Sequence, residues 1–367
     1  MSEEKANIQQ LLPILNSEAA APCRTGIARL ADHGVPTGEG HLVEFRTLPV
    51  RSLLNNSVSR RGMWFAKSIN PYRGCEFGCR YCYARYTHEF MEMKDPADFE
   101  RKIYIKQNAA WLLRQEIRSI QPGEEIALGT ATDPWQPIER RMRVTRSILE
   151  VLAEHRGLRI GVVTKSTLIE RDIDLLQRIA ERSDLAVHIT ITTPDVDLAR
   201  ILEPRAPRPD LRFRTVRRLR QAGLRTGILC SPLMPGITDN APALDRMCRL
   251  AREAGANFLA AQPLFLKPCS KSTFMAFVHD NFPELEAGYA KRYQTHAFVS
   301  PAYQKRIGDL VGAVTRKYGL SPRSSEMPTL SLGRQPAQRE LWPSQPEKRE
   351  PSPTPCRPLT NALSVSG

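Results

Sequence analysis

The feature that most limits what this chain can fold into is a rhythm of short and long segments. Residues 126–129, 158–164, 185–192, 226–229 and 257–263 are short, almost continuously apolar runs. Between them, residues 144–152, 169–179, 211–222 and 243–254 place apolar side chains at helical spacing. Strands that are apolar on both faces, each followed by one helix, predict a parallel sheet covered by helices. With the segment 64–71 added ahead of a cysteine-rich loop, the count is about six βα units. That number suits a partial (βα)6 TIM-type barrel or an open sheet, and is too small for an eightfold barrel. In either architecture chemistry is expected in the loops after the C-terminal ends of the strands.

The two ends of the chain have a different character. Residues 1–60 combine a helical pattern at 7–15 with loop-like sequence and are read as an N-terminal extension. Residues 321–367 are rich in Pro, Ser and polar residues, a composition that buries too little surface to offset ordering entropy, and are read as a disordered tail. The core domain is placed at 61–320. The first residues carry acids in place of the basic region of a secretory signal. No apolar run approaches the roughly 18 residues that span a bilayer. The eight cysteines are clustered and not spread as a disulfide framework. A reducing, cytoplasmic setting without membrane contact is therefore expected. The chain holds 53 Lys and Arg against 39 Asp and Glu, net +14, an excess that attracts polyanions such as nucleic acid and also serves plain solubility.

The densest chemistry lies in Asn70-Pro-Tyr-Arg-Gly-Cys75-Glu-Phe-Gly-Cys79-Arg-Tyr-Cys82-Tyr83. Cys75, Cys79 and Cys82 follow directly on the first predicted strand with the spacing Cys-x3-Cys-x2-Cys. Three thiolates so close are able to wrap one face of a cuboidal iron–sulfur cluster, with Gly74 and Gly78 allowing the backbone to turn. A four-iron cluster on three thiolates leaves one iron open, as a catalytic metal requires. The alternative is zinc with His88 as fourth ligand, although closed zinc sites usually use paired knuckles on separate hairpins.

This spacing, with Tyr81 before the last cysteine, resembles the signature of the radical S-adenosylmethionine superfamily. The words GTATDPWQPIE (129–139), Val144-Thr-Arg, TKS (164–166), RDIDLL (171–176) and EPRAP (203–207) look like one subgroup, the DNA-repair-photolyase-like proteins related to spore photoproduct lyase. The resemblance covers about residues 60–320. It implies a [4Fe–4S] cluster whose fourth iron binds the amino and carboxylate groups of S-adenosyl-L-methionine. It also implies one-electron cleavage of the sulfonium to a 5′-deoxyadenosyl radical, and a reductant such as flavodoxin or ferredoxin.

In that family a short motif after the second strand holds the methionine amino group. Here the position carries Gly129-Thr-Ala-Thr-Asp-Pro134 where Gly-Gly-Glu is commoner. Thr130, Thr132 and Asp133 are the candidate acceptors for an ammonium; Asp-Pro is also ordinary turn chemistry. Lys165, at the end of the third strand, suits an anionic group. Thr190 and Thr192, at the end of the fourth, suit ribose or carboxylate, though β-branched residues also simply favour strands.

For hydrogen donation the candidates are Cys230 and Cys269, at the ends of the fifth and sixth strands, with Tyr83 and the Tyr289/Tyr293/Tyr303 group as alternatives. A single cysteine is also commonly a small buried hydrophobe. The arginines at 205, 208, 212, 214, 217, 218 and 220 read as a solvated helix face. Arg140, Arg141, Arg143 and Arg146 stand nearer the mouth and suit a phosphate backbone. The function expected is a lyase-like or radical-modifying enzyme with nucleic-acid (DNA) repair or modification favoured. Radical modification of a small metabolite or peptide, and a non-catalytic metal-bearing nucleic-acid-binding protein, are the alternatives.

Overall fold

The structure, a computed structural model, describes residues 25–40, 43–56, 65–121 and 123–321. The helical pattern expected at 7–15, Cys23, Cys356 and all but the first residue of the segment 321–367 lie outside the described residues. The elements treated below belong to one compact unit.

Eleven strands are described: β1 (Pro36–Gly40), β2 (Val43–Thr47), β3 (Leu54–Asn56), β4 (Lys67–Ile69), β5 (Tyr72–Arg73), β6 (Lys102–Ile105), β7 (Glu125–Leu128), β8 (Arg159–Thr164), β9 (Asp184–Thr190), β10 (Thr226–Leu233) and β11 (Leu259–Pro263). The main sheet runs β11-β10-β9-β8-β7-β4-β3. Its six strands from β4 to β11 are parallel, and β3 pairs antiparallel on the outside of β4. Spatial order follows chain order throughout. A doubly wound sheet would reverse direction at a switch point, so single winding gives the topology of a partial (βα)6 barrel. All six parallel strands therefore end on the same side, where β4 delivers the cysteine loop.

The strands form because their residues are apolar on both faces. Ile126, Ala127 and Leu128 of β7 are fully buried, as are Val187 and Ile189 of β9. The helix Val144–Glu154 presents Ile148, Leu149, Val151 and Leu152 to this core. Residues 36–56, read from sequence as part of an extension, contribute β1 and β2 to a second sheet, β1-β2-β6-β5, and β3 to the main one.

Two local differences from the sequence expectation have clear causes. The helix expected at 169–179 starts as a 3-10 turn, Thr167–Asp172, and becomes α-helical only at Ile173–Ala180. Asp172 is held by Trp135 Nε1 and Arg146 Nη1, each donating at 2.8 Å, which fixes the entry of that helix. A short helix at Val196–Leu202 was not expected. Asp195 caps it, accepting from the N–H groups of Asp197 and Leu198.

Candidate radical centre at the strand ends

The three clustered cysteines sit on a loop that the rest of the protein grips through its backbone. Cys75 N–H donates to Phe99 O at 3.0 Å, Arg80 N–H to Leu202 O at 2.9 Å, and Cys82 N–H to Cys79 O at 3.2 Å. Gly74 has φ +83°, and a Cβ there would stand 2.8 Å from the carbonyl oxygens of both Phe99 and Lys102, so only glycine fits the turn. Gly74 O accepts from Thr132 Oγ1 at 2.6 Å and from Gln136 Nε2 at 3.4 Å. Gln136 Oε1 takes the N–H of Glu76, and Glu76 Oε1 takes the N–H of Ile138. The loop after β7 thus clamps the cysteine loop from one side.

Cys75 and Cys79 are buried and Cys82 is partly exposed. Burial pushes all three thiols up, and that of Cys79 reaches about 12 in spite of the opposing pull of the Lys165 ammonium. Among the described residues no three His, Cys, Asp or Glu side chains stand close enough to hold a single metal ion. Nor does His88 join the three cysteines in a group of that size. His88 Nε2 is bonded to Lys102 O at 2.9 Å, and the ring packs edge-on between Phe99 and Tyr104. Burial lowers its pKa to about 4.

A frame of polar contacts joins the ends of β4, β7 and β8. Asn70 accepts from Ala131 N–H at 2.8 Å and donates to Thr130 Oγ1 at 3.3 Å. The Asp133 carboxylate accepts from Thr164 Oγ1 (2.7 Å), Lys165 N–H (2.7 Å) and Trp135 N–H (2.9 Å). Burial raises its pKa and these three donors oppose the rise. A carboxylate has about four acceptor positions, so Asp133 is mostly spent on the protein and works as a strut between two loops.

At the ends of β8 and β9 lies a charge cluster that sequence reasoning did not assemble. Glu203 pairs with Arg212 at 2.6 Å, with both side chains sealed from solvent. Glu203 also accepts from Tyr81 OH and, at 3.1 Å, from Thr192 Oγ1. Arg212 donates to Thr190 O at 3.1 Å and to Pro207 O at 2.6 Å. The Lys165 ammonium stands 4.0 Å from Glu203 and 5.6 Å from the centre of the Tyr81 ring. Burial works against the charged Lys165, but the facing Cys79 and Glu203 outweigh it and raise its pKa. For Glu203, burial would raise the carboxyl, and Arg212 and Lys165 hold it below its ordinary value. Arg212 is therefore not part of a solvated arginine face. Its helix turns it inward, because an unpaired Glu203 at that depth would be very costly. Arg208, Arg214, Arg217 and Arg218 of the same stretch are exposed as expected. Arg146 is tied to Asp172 and Asp174, which leaves Arg140, Arg141 and Arg143 as the exposed cations of their run.

The two candidate hydrogen donors differ sharply. Cys230 is 1% exposed and its thiol donates to Thr192 O at 3.7 Å. Cys269 is half-buried, and its thiol donates to Tyr83 O at 3.4 Å, directly beside the cysteine loop. Tyr83 OH in turn donates to Thr130 O at 2.5 Å. Tyr289 and Tyr293 are buried, donating to Pro235 O and Leu264 O, and Tyr303 is bonded to Asp239.

The sequence model of the radical SAM superfamily matches residues 69–248. An uncharacterized protein of Mycobacterium tuberculosis is 31% identical over 282 residues, spanning 76% of this chain and 82% of its own. The chain belongs to the radical SAM superfamily. An uncharacterized protein of Methanocaldococcus jannaschii is 27% identical over 252 residues, 68% of this chain and 86% of its own. Among solved structures, spore photoproduct lyase complexed with dinucleoside spore photoproduct superposes with a TM-score of 0.56 at 13% identity, covering 83% of this chain and 86% of that one. A mutant of the same lyase with bound AdoMet gives 0.55 at 14% identity, with the same coverage. At these identities the likeness is one of fold.

Membership in the radical SAM superfamily makes a [4Fe–4S] cluster and S-adenosylmethionine the cofactors. The residues present fit them. The thiols of Cys75, Cys79 and Cys82 come from one glycine-turned loop, and a cuboidal cluster separates its ligands more widely than a single ion does. Buried thiols with raised pKa values are costly to ionise alone and favour a cationic occupant. Cys269 reaches the loop's edge but spends its thiol on a main-chain oxygen. No helix among the described residues is long and apolar enough to cross a membrane.

Proposed function

We propose that this radical SAM enzyme acts on nucleic acid, as a DNA repair or modification enzyme, with Cys75, Cys79 and Cys82 as the cluster ligands. These cysteines would hold the cluster, which with bound S-adenosylmethionine and a reductant such as flavodoxin or ferredoxin would supply radical chemistry at the strand ends. The protein's own part is to position and to exclude water. Lys165, an ammonium at the end of β8 beside Cys79, answers the cofactor carboxylate, and Glu203 with Arg212 keeps its Nζ in place. Thr130, at the rim and only partly buried, is the accessible hydroxyl of the β7 loop for the ammonium. Thr132 and Asp133 hold that loop against Gly74 and Lys165. Thr192, bonded to Glu203, and Thr190 close the floor at β9. Cys269, with its thiol half-exposed next to Cys82, is the better hydrogen donor; Cys230 is sealed beneath the Thr192 carbonyl.

The observation that carries the nucleic-acid assignment is charge: 53 basic against 39 acidic residues, with Arg140, Arg141 and Arg143 exposed just after the β7 loop. A fold shared with a lyase whose structure holds a dinucleoside photoproduct is consistent with it. Salt titration of DNA binding to the cluster-loaded protein tests it. Phosphate contacts release counterions, so affinity should fall steeply and linearly in log–log form as salt rises. Absence of binding at low salt would overturn the assignment in favour of a small metabolite or peptide substrate.

A further inference from the structure

Six large hydrophobic side chains are strongly exposed among the described residues, and three of them, Tyr83, Phe90 and Phe298, gather at one edge of the mouth. They belong to a continuous run of five rings. Phe90 meets Tyr86 edge-on at 5.6 Å, and Tyr86 stacks with Tyr83 at 6.4 Å and 14°. Tyr83 meets Phe265 at 6.2 Å, and Phe265 stacks on Phe298 at 4.3 Å and 22°. Its middle ring, Tyr83, is the residue after Cys82, and the run ends past β11, where Leu266 N–H donates to Ala297 O and fixes Phe298 over Phe265. Lys267 places its ammonium 4.0 Å from the Tyr86 ring centre and 5.8 Å from that of Phe265. Glu89 stands near this cation, so the rim is not uniformly basic.

Clustered exposed aromatics are uncommon on a surface that meets only water. Rings at stacking separations with a cation over them, on a chain of net +14, match the two elements by which proteins hold single strands: π-faces for bases and positive charge for the backbone. We infer that this five-ring run is a stacking platform for the unpaired bases of a single-stranded or locally opened nucleic acid, leading the strand to the radical centre. The inference rests on the nucleic-acid assignment above and names the form of substrate: bases presented out of the duplex.

The test uses cluster-loaded protein and fluorescent oligonucleotides of one mixed sequence, single-stranded and duplex, with heparin as a polyanion that has no bases. Phe90→Ala and Phe298→Ala should each weaken single-strand binding by roughly tenfold, given that a stacked base contributes about 1–3 kcal/mol. The salt slope should not move, because no charge is removed. Heparin affinity and iron content should match wild type, and Phe298→Trp should restore binding. If wild type binds single strands while both variants bind equally well, or if heparin binding falls in parallel, the platform is overturned and the nucleic-acid assignment survives. Preference for the duplex overturns the platform as well. If wild type binds neither DNA form, the nucleic-acid assignment itself falls, and the platform with it.

Discussion

The two sides of the strand-end mouth are built in opposite ways. On the β7–β9 side, polar groups are buried and tied to one another: Asp133 to three donors, Glu203 to Arg212, Tyr81 and Thr192, and Gln136 to both loops. On the β11 side, Phe90, Tyr83 and Phe298 stand in solvent, and the β10–β11 pairing shifts register between Cys230 and Leu233. A preorganised frame suits a cofactor that must be held in one geometry, because interactions fixed before binding cost no reorganisation. An open rim suits a substrate that enters and leaves. Substitutions on the first side should therefore cost stability or cofactor, and those on the second should cost neither.

The largest effect is expected on the cysteine loop. Replacing Cys75, Cys79 or Cys82 with Ala should abolish bound iron, whereas Cys248→Ala, on the buried face of the helix Ala241–Glu253, should leave iron content intact. Next comes Arg212→Met, which strands a buried Glu203 and should cost roughly 3–5 kcal/mol in denaturant unfolding. On the same helix the exposed Arg217→Ala should stay within about 0.5 kcal/mol. Equal effects at 212 and 217 would erase the contrast between frame and surface.

His88 gives a pH signature of the frame. Its pKa is about 4 when folded against 6.5 for an ordinary His, so the unfolded chain binds the proton more readily. Stability is then fully present above pH 6.5 and is lost as pH falls toward 4, by up to roughly 3 kcal/mol. In iron-free protein, His88→Gln should flatten that acid slope. Asp133→Asn probes the strut between the two loops. As a strut it should lose roughly 1.5–3 kcal/mol, since an amide nitrogen cannot accept from the donors the carboxylate serves. Its affinity for S-adenosylmethionine should then change little; a tenfold weaker cofactor with unchanged melting would put Asp133 in direct contact instead. The smallest effect is Phe90→Ala, expected within about 0.5 kcal/mol in unfolding.

Much of this arrangement was legible in the sequence because it is local. Strand β8 and the helix Val144–Glu154 were marked by apolar periodicity, and the cysteine loop by spacing alone. Glu203 and Arg212 were not legible as a pair. They come from a loop and a helix, meet at the end of β9, and were visible only as a word and as one arginine among seven. Two of the three donors to Asp133 come from residues 164 and 165, which only the parallel pairing of β7 and β8 brings to it, while the third, from Trp135, is a local turn contact. The ring run was hidden for the same reason. Tyr83, Tyr86 and Phe90 share a helical spacing on the short helices after Cys82, but Phe265 and Phe298 come from after β11 and before the helix Pro301–Lys317, and no sequence pattern links them to the first three.

Electron paramagnetic resonance of the reduced, reconstituted protein, recorded with and without S-adenosylmethionine, reports whether the cluster has an iron open to the cofactor. About four irons per chain and a cluster signal that changes on adding the cofactor are expected, because three cysteines leave one iron for it. A spectrum unchanged at saturating S-adenosylmethionine, with the full iron content present, would contradict the assignment of Cys75, Cys79 and Cys82 to an open, cofactor-binding cluster.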